Sequence, residues 1–223
     1  MKYETREYDE EAENFKYLVT SKMNASEKGW FVQFHDRVKF RLDAAKYFFT
    51  KLKELEMKAG SLVGPGINRN DVEFDLDAFL YEVVGAFEPL LQEINIAFKL
   101  NLELQNVEIS TIITKLPTGS QVKNKLGRLD GDTEGWFWKL REYRNHSAHR
   151  KIIGFYLIKI MGGEETKVFL HKDPRNPEKG RADEEVLTYC QNSIKRMKEL
   201  INENYKLCVR ELTANTKESH LDL

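Results

Sequence analysis

Apolar residues recur every three or four positions along most of the chain, which is the spacing of one face of an α-helix. Three long helices are predicted from this pattern, over about residues 30–59, 75–104 and 187–212. A shorter helix is predicted over about 9–23, followed by a turn at Asn24–Gly29, and a further helix is predicted to begin after Gly135. Because Gly60 directly follows the 30–59 stripe, we expect that helix to end there.

The segments between these helices contain residues that stop or bend a helix. Ser61–Asp71 is expected to be a plain connection, because a phosphate-cradling loop would need a preceding strand and a following Lys-Ser or Lys-Thr. Pro89 removes one backbone donor from the predicted 75–104 helix, so we expect a kink there. Two short helices are predicted further on, one at 109–116 and one after Ser120.

Beyond Ile153 the period changes from helical to alternating, which is typical of β-strands. The segments GFYLIKIM and TKVFLHK, with Gly162 and Gly163 in the turn between them, predict a β-hairpin over about 154–172. Tyr156, Ile158 and Ile160 are expected to share one face of the hairpin. The following segment, Asp173–Arg181, is rich in turn-forming residues and is expected to be a loop.

Together these elements indicate an all-α protein, an antiparallel helical bundle with a small β-hairpin inserted before the last long helix. Long helices with continuous apolar faces must bury those faces against one another, and a bundle is the economical arrangement. We expect one domain over residues 1–223, with a polar tail at about 213–223 that frays.

The composition of the chain limits which partners and which cellular compartment are expected for it. The 223 residues include 35 lysines and arginines against 36 aspartates and glutamates, so a polyanionic partner would need a local basic patch. Cys190 and Cys208 lie about 27 Å apart along the predicted last helix and cannot form a disulfide. Buried thiols in a reducing, cytoplasmic compartment are therefore expected. The first residues, MKYETREYDEEAENF, are too charged for a signal peptide, and we expect no membrane span.

One stretch, REYRNHSAHR at residues 141–150, concentrates reactive side chains on the helix after Gly135. Helical geometry places Asn145 and His149 about 40° apart, and Arg144 about 140° from His149. An imidazole exchanges protons near neutral pH, and a guanidinium binds a phosphate through two parallel hydrogen bonds. The core-facing row of this helix is expected to be Trp136, Leu140, Tyr143 and Ser147.

The motif Arg144-Asn145-x-x-x-His149, on a late helix of a bundle, resembles the Arg-x4-6-His signature of the HEPN superfamily. The resemblance implies a metal-independent endoribonuclease, often a toxin or antiviral effector, that needs no cofactor. It implies Arg144 and His149 as the catalytic pair and Asn145 as the orienting polar group. RNA would be cleaved by its own 2′-hydroxyl, with His149 as general base or acid and Arg144 holding the phosphate.

The resemblance to the HEPN superfamily also implies binding partners for the chain. RNA is the expected substrate, a homodimer is expected to form through the helix that carries Arg144 and His149, and an antitoxin protein is a further expected partner. In toxins of this family that pair with a nucleotidyltransferase, a tyrosine two positions after the histidine is modified. Lys151 stands at that position here, so this mode of control does not carry over directly. Lys151, Arg150 and His146 could instead add to a phosphate-binding surface.

Structural alternatives stay open for each of these side chains. His149 could be a cation favoured at a helix end, and Arg144 could be a partner in a salt bridge. A zinc site at His146 and His149 would need two more ligands, and no cysteine lies nearby. A cluster of three aromatic side chains could stack on bases or pack in the core, namely Trp136, Phe137 and Trp138.

Basic residues of the hairpin and its loop could follow an RNA backbone or form a solvated surface, since acidic residues are interleaved with them. They are Lys159, Lys167, Lys172, Arg175, Lys179 and Arg181. The alternative function for the whole chain is a non-catalytic HEPN-like bundle that binds a nucleotide, an RNA or a protein partner.

Overall fold

The computed structural model of the protein describes residues 2–63, 66–149, 153, 155–159 and 166–218. Within these ranges the side chains of residues 2–9, 149, 159 and 215–218 are not described. Several predicted features therefore lie outside the described residues: the turn at Gly162 and Gly163, the strand residue Ile160, and both Arg150 and Lys151.

The described chain is mostly helical, with one small antiparallel sheet. The helices are α1 (Lys2–Thr20), α2 (Ala25–Ala59), α3 (Arg69–Gly85), α4 (Phe87–Ala97), α5 (Ile109–Lys115), α6 (Gln121–Gly131), α7 (Trp136–His149) and α8 (Val186–Glu218). The strands are β1 (Phe155–Lys159), β2 (Thr166–His171) and β3 (Arg181–Glu185). The mainly helical class is confirmed, and the HEPN-like bundle arrangement stays a prediction.

The turn between the first two helices is shorter than predicted. The Asn24 side-chain oxygen accepts hydrogen bonds from the backbone N–H groups of Ser26 and Glu27, each at 3.0 Å. The Glu27 carboxylate in turn accepts from the Asn24 N–H at 3.2 Å. This reciprocal cap starts α2 at Ala25, five residues before the expected start at Trp30.

The helix predicted over 75–104 is two helices, α3 and α4, separated at Ala86. Pro89 is the third residue of α4, where the first turn needs no backbone donor. The bend expected at Pro89 is therefore a break three residues earlier. α3 begins at Arg69, six residues before the predicted start at 75, and α4 ends at Ala97, seven residues before the predicted end at 104. α7 begins directly after Gly135, and the Ser120 hydroxyl caps α6 by accepting from the Lys123 N–H at 3.1 Å.

The predicted hairpin is confirmed for its two strands but is part of a larger sheet. β1 and β2 pair antiparallel, with Phe155 opposite Leu170 and Lys159 opposite Thr166. A third strand, β3, begins at Arg181 and pairs with the other edge of β2. The prediction of a hairpin alone was wrong because the β3 sequence, RADEE, is almost entirely charged and lacks the apolar alternation that marks a strand.

The described residues form two compact units, each built from separate chain segments. Unit 1 comprises the described residues of Met1–Phe40, Ala86–Thr133 and Met197–Leu223. Unit 2 comprises those of Arg41–Gly85 and Glu134–Arg196. The single domain predicted over 1–223 stays a prediction. α8 extends to Glu218, which takes it into the tail that was expected to fray.

Each unit has its own buried side chains. In unit 1 the largest fully buried ones are Phe15, Phe31, Leu90, Ile94 and Tyr205. In unit 2 they include Leu42, Leu52, Leu76, Phe79, Leu80 and Tyr143. Cys190 and Cys208 are buried free thiols, as predicted. Among the described helices, none combines the length and the apolar character needed to cross a bilayer.

Candidate functional site

The helix that carries the Arg-His motif packs against α3 through an apolar stripe. α7 buries Phe137, Leu140 and Tyr143, and its main helical neighbour is α3 within unit 2. The predicted core-facing row is confirmed for Leu140 and Tyr143, whereas Trp136 and Ser147 are only half-buried. This packing sets which α7 side chains can meet a ligand.

Tyr143, the residue before Arg144, fixes α7 to the sheet. Its hydroxyl donates a hydrogen bond to the carbonyl oxygen of His171 at the end of β2. Its ring meets the Tyr189 ring edge-on, with centroids 5.5 Å apart. Burial raises the pKa of Tyr143 well above its usual value, so the hydroxyl stays a donor. Tyr143 therefore holds α7 in place directly before its last two turns.

The predicted catalytic residues occupy these last turns. Arg144, Asn145 and His146 are each partly exposed, and His149 is the last residue of the helix. The His149 side chain lies outside the described residues, as do Arg150 and Lys151. Arg144, Asn145 and His146 are thus half-buried side chains of unit 2, and the Arg144 Nε and His146 Nδ1 atoms are themselves buried. The roles assigned to His149, Arg150 and Lys151 stay predictions.

Asp77 of α3 is a polar contact to this helix that the sequence did not predict. Its carboxylate accepts a hydrogen bond from the hydroxyl of Ser147, which lies between Arg144 and His149. Burial raises the pKa of Asp77; the Ser147 bond lowers it and the nearby Glu73 carboxylate raises it further. The one available signal was Ser147 itself, because a serine in a core-facing row requires a polar partner on the opposing helix.

The aromatic cluster at the start of α7 divides into three environments. Phe137 is buried in the core, as the packing alternative predicted. Trp138 is half-buried, and the Arg175 guanidinium lies 4.7 Å from its ring centroid. Trp136 lines a cavity of about 190 Å³ together with Lys139 and other residues of unit 2. Neither tryptophan is fully committed to the core.

Acidic side chains of the loop before β3 and of α7 pair with the basic side chains of that loop. Asp173 binds the Lys179 ammonium at 2.9 Å, and the Arg175 guanidinium lies 3.2 Å from the Glu142 carboxylate of α7. Burial of Asp173 opposes its ionisation, but bonds from Lys179 and the Arg175 backbone outweigh it and hold its pKa below the usual range. Arg175 and Lys179 thus favour the solvated-surface alternative over a phosphate track.

No grouping of three or more histidine, cysteine, aspartate or glutamate side chains suited to a metal ion occurs within the described ranges. The chemistry available at α7 is that of a guanidinium, an amide and imidazoles. No protein-family model, curated protein or solved structure matches the chain.

Proposed function

We propose that the protein is a metal-independent endoribonuclease of the HEPN type, with its active site on the last two turns of α7. The observation that carries the proposal is the partial exposure of Arg144 and Asn145 beside Tyr143, whose buried hydroxyl fixes the helix to β2. A rigid helix that presents a guanidinium and an amide is suited to binding a phosphate in one geometry.

The proposed reaction uses a nucleophile that RNA itself supplies. The 2′-hydroxyl attacks the adjacent phosphorus, and the bond from phosphorus to the 5′-oxygen of the next nucleotide breaks. One imidazole accepts the proton of the hydroxyl, and a protonated imidazole donates a proton to the departing oxygen. The products are a 2′,3′-cyclic phosphate and a free 5′-hydroxyl. DNA lacks the attacking group and is not a substrate.

His149 is the imidazole assigned to proton transfer, a role that accelerates reactions by about 10²- to 10⁴-fold. Arg144 binds the phosphate oxygens, on which negative charge accumulates in the transition state. Asn145 orients the phosphate through its amide. On one helix the directions of Arg144 and His149 differ by about 140°. A second copy of α7 across a homodimer would bring an Arg144 and a His149 to the same phosphate and supply the second imidazole.

Asp77 has a positioning role in this proposal. Its bond to Ser147 ties α7 to α3 within the span from Arg144 to His149. A small displacement of reacting groups can cost as much as about 10²-fold in rate, so a contact that fixes this span supports catalysis without touching the substrate.

The test is incubation of the purified protein with mixed RNAs in the presence of a chelator, followed by analysis of the fragment ends. We expect 2′,3′-cyclic phosphate ends from the wild type. His149→Ala should abolish cleavage, and Arg144→Ala should reduce it strongly. Matched controls are His220→Ala, a histidine near the end of the chain, and Arg69→Ala, whose exposed side chain pairs with Glu73 on α3.

Two outcomes would contradict the proposal. Equal cleavage by wild type and His149→Ala would show that His149 takes no part in the reaction. RNA binding without cleavage by the wild type, weakened in Arg144→Ala, would favour the non-catalytic bundle instead. A toxin or antiviral role, and control by an antitoxin protein, follow from the family resemblance and depend on the first result.

A further inference from the structure

A cavity of about 540 Å³ lies in unit 1, where the start of α2 meets the end of α4 and the segment after it. This volume is within the range of about 300–1,000 Å³ that is typical of small-molecule sites. Its apolar lining comes from two helices and one loop, through Trp30, Phe34, Ile96, Leu102 and Leu104. The cavity contains none of the residues assigned to RNA cleavage.

An aromatic pair forms one wall of this cavity. The Trp30 and Phe34 rings are stacked, with centroids 6.4 Å apart and an angle of 25° between their planes. Trp30 is 53% exposed although it is the largest apolar side chain type. A stacked pair with an open face can accept a further flat ring, since offset stacking is favourable between aromatic groups.

Several polar groups at the cavity already have partners within the fold. The Glu27 carboxylate accepts from the Asn24 N–H as part of the α2 cap. The Asn95 amide donates to the Leu102 carbonyl at 2.9 Å and accepts from the Leu102 N–H at 3.1 Å. These bonds hold the loop wall in place before any ligand arrives, and they leave Glu27 and Asn95 committed to structure.

Lys99 and Asn101 are different. Their side chains line the cavity and make no hydrogen bond or ion pair with any other residue that the structure describes. Both are exposed. The lining therefore offers a ligand one ammonium group and one carboxamide, while the Glu27 carboxylate of the α2 cap adds one negative charge to the same lining.

The backbone at these two residues adopts a conformation that favours glycine. Lys99 has φ 52° and Asn101 φ 57°, and the other described residues with positive φ are all glycines. Lys99 lies two residues after the end of α4, and the following N–H, of Leu100, donates to the Asn95 carbonyl at 2.9 Å. Glycine is the usual residue at such a helix end. Lys99 therefore places its side chain at the rim of the cavity at a conformational cost that glycine would not carry.

We propose that this cavity binds a small planar aromatic carboxylate. The ring of the ligand stacks on the Trp30 and Phe34 pair, and its carboxylate accepts hydrogen bonds from the Lys99 ammonium and the Asn101 amide. One cation matches one negative charge, whereas a phosphate dianion is typically held by several charged donors or a bidentate arginine. Binding at this site does not depend on whether α7 cleaves RNA.

The test is calorimetric titration of the full chain with three probes. Naphthaleneacetate carries both proposed determinants, naphthaleneacetamide is its neutral isostere, and cyclohexaneacetate keeps the charge but lacks the aromatic ring. We expect naphthaleneacetate to bind at least about tenfold more tightly than either of the others, because each lacks one specific contact. Absence of binding at millimolar concentration, or equal binding of the acid and the amide, would overturn the proposal.

Two variants test which residues make the proposed contacts with the carboxylate and the ring of the ligand. Lys99→Gly should fold at least as stably as the wild type, because glycine suits the left-handed backbone, yet it should lose the preference for acid over amide. Trp30→Ala should lose the preference for the naphthalene ring over cyclohexane. Tyr17→Ala, an exposed aromatic outside the cavity lining, should leave both preferences intact. Retention of the acid preference in a stably folded Lys99→Gly would also overturn the proposal.

Discussion

The Nδ1 atom of His35 lies 2.7 Å from the Oε1 atom of Glu93 in the core of unit 1, although 58 positions separate the two residues in the sequence. The Glu93 side chain is fully buried, and its second oxygen accepts from the Tyr205 hydroxyl at 2.8 Å. The His35 ring also stacks on the buried Phe31 ring. A fully buried carboxylate is thus provided with a partner for each oxygen, which is what its burial requires.

We expect His35→Ala to destabilise the protein by about 3 kcal/mol or more, because it leaves a buried carboxylate without one of its partners. Glu93→Gln should cost less, about 1–2 kcal/mol, since an amide can still bond to His35 or Tyr205 without a buried charge. Urea denaturation monitored by circular dichroism measures the loss of stability in both variants. A loss for His35→Ala no larger than that for Glu93→Gln would contradict this account of the cluster.

Tyr143→Phe should destabilise the protein by about 1–2 kcal/mol, because the carbonyl of the half-buried His171 loses its donor. The same variant should slow RNA cleavage while RNA binding is retained, since the anchor lies next to Arg144. Tyr47→Phe is the matched control, because Tyr47 is an exposed tyrosine of α2. Comparison of urea midpoints and cleavage rates for both variants tests the role. Equal effects of the two substitutions would remove Tyr143 as an anchor.

Stability should depend on pH through Asp77. Burial raises its pKa above the ordinary value of 3.8, so folding favours the protonated form. Its contribution is fully present below pH 3.8 and is lost as pH rises through the folded-state pKa. The free energy of unfolding of the wild type, relative to Asp77→Asn, should therefore fall as the pH rises above 3.8. Denaturation series at several pH values measure this difference, and a rise with pH would mean that α7 stabilises the ionised carboxylate instead.

The proposed active site requires a homodimer. Light scattering on the eluting protein should give twice the chain mass of 26.1 kDa. Specific cleavage activity should fall on dilution through the dissociation constant of the dimer, because each site needs groups from two copies of α7. Full specific activity in a sample with the mass of a single chain would contradict the shared site, while leaving the assignment of His149 to be tested by substitution.

Most of the helices could be predicted from local sequence patterns. The stripe from Phe31 onwards, the cap at Ser120 and the start of α7 after Gly135 each depend on residues within a few positions of one another, and the structure agrees. Several helix boundaries differ from the predictions. The Asn24 cap starts α2 earlier than expected, and Pro89 lies in the first turn of a new helix instead of bending a continuous one.

The sequence by itself determined the mainly helical class and the two paired strands of the hairpin. Tertiary structure decided what depends on distant residues. β3 is a strand only because β2 offers it an edge, since its own charged residues carry no strand pattern. Asp77 and Ser147 meet because α3 packs on α7, and Lys99 and Trp30 share a cavity because α4 ends beside the start of α2. The sequence shows which side chains are present, but residues far apart in the sequence come into contact only when helices and strands bury their apolar faces against one another.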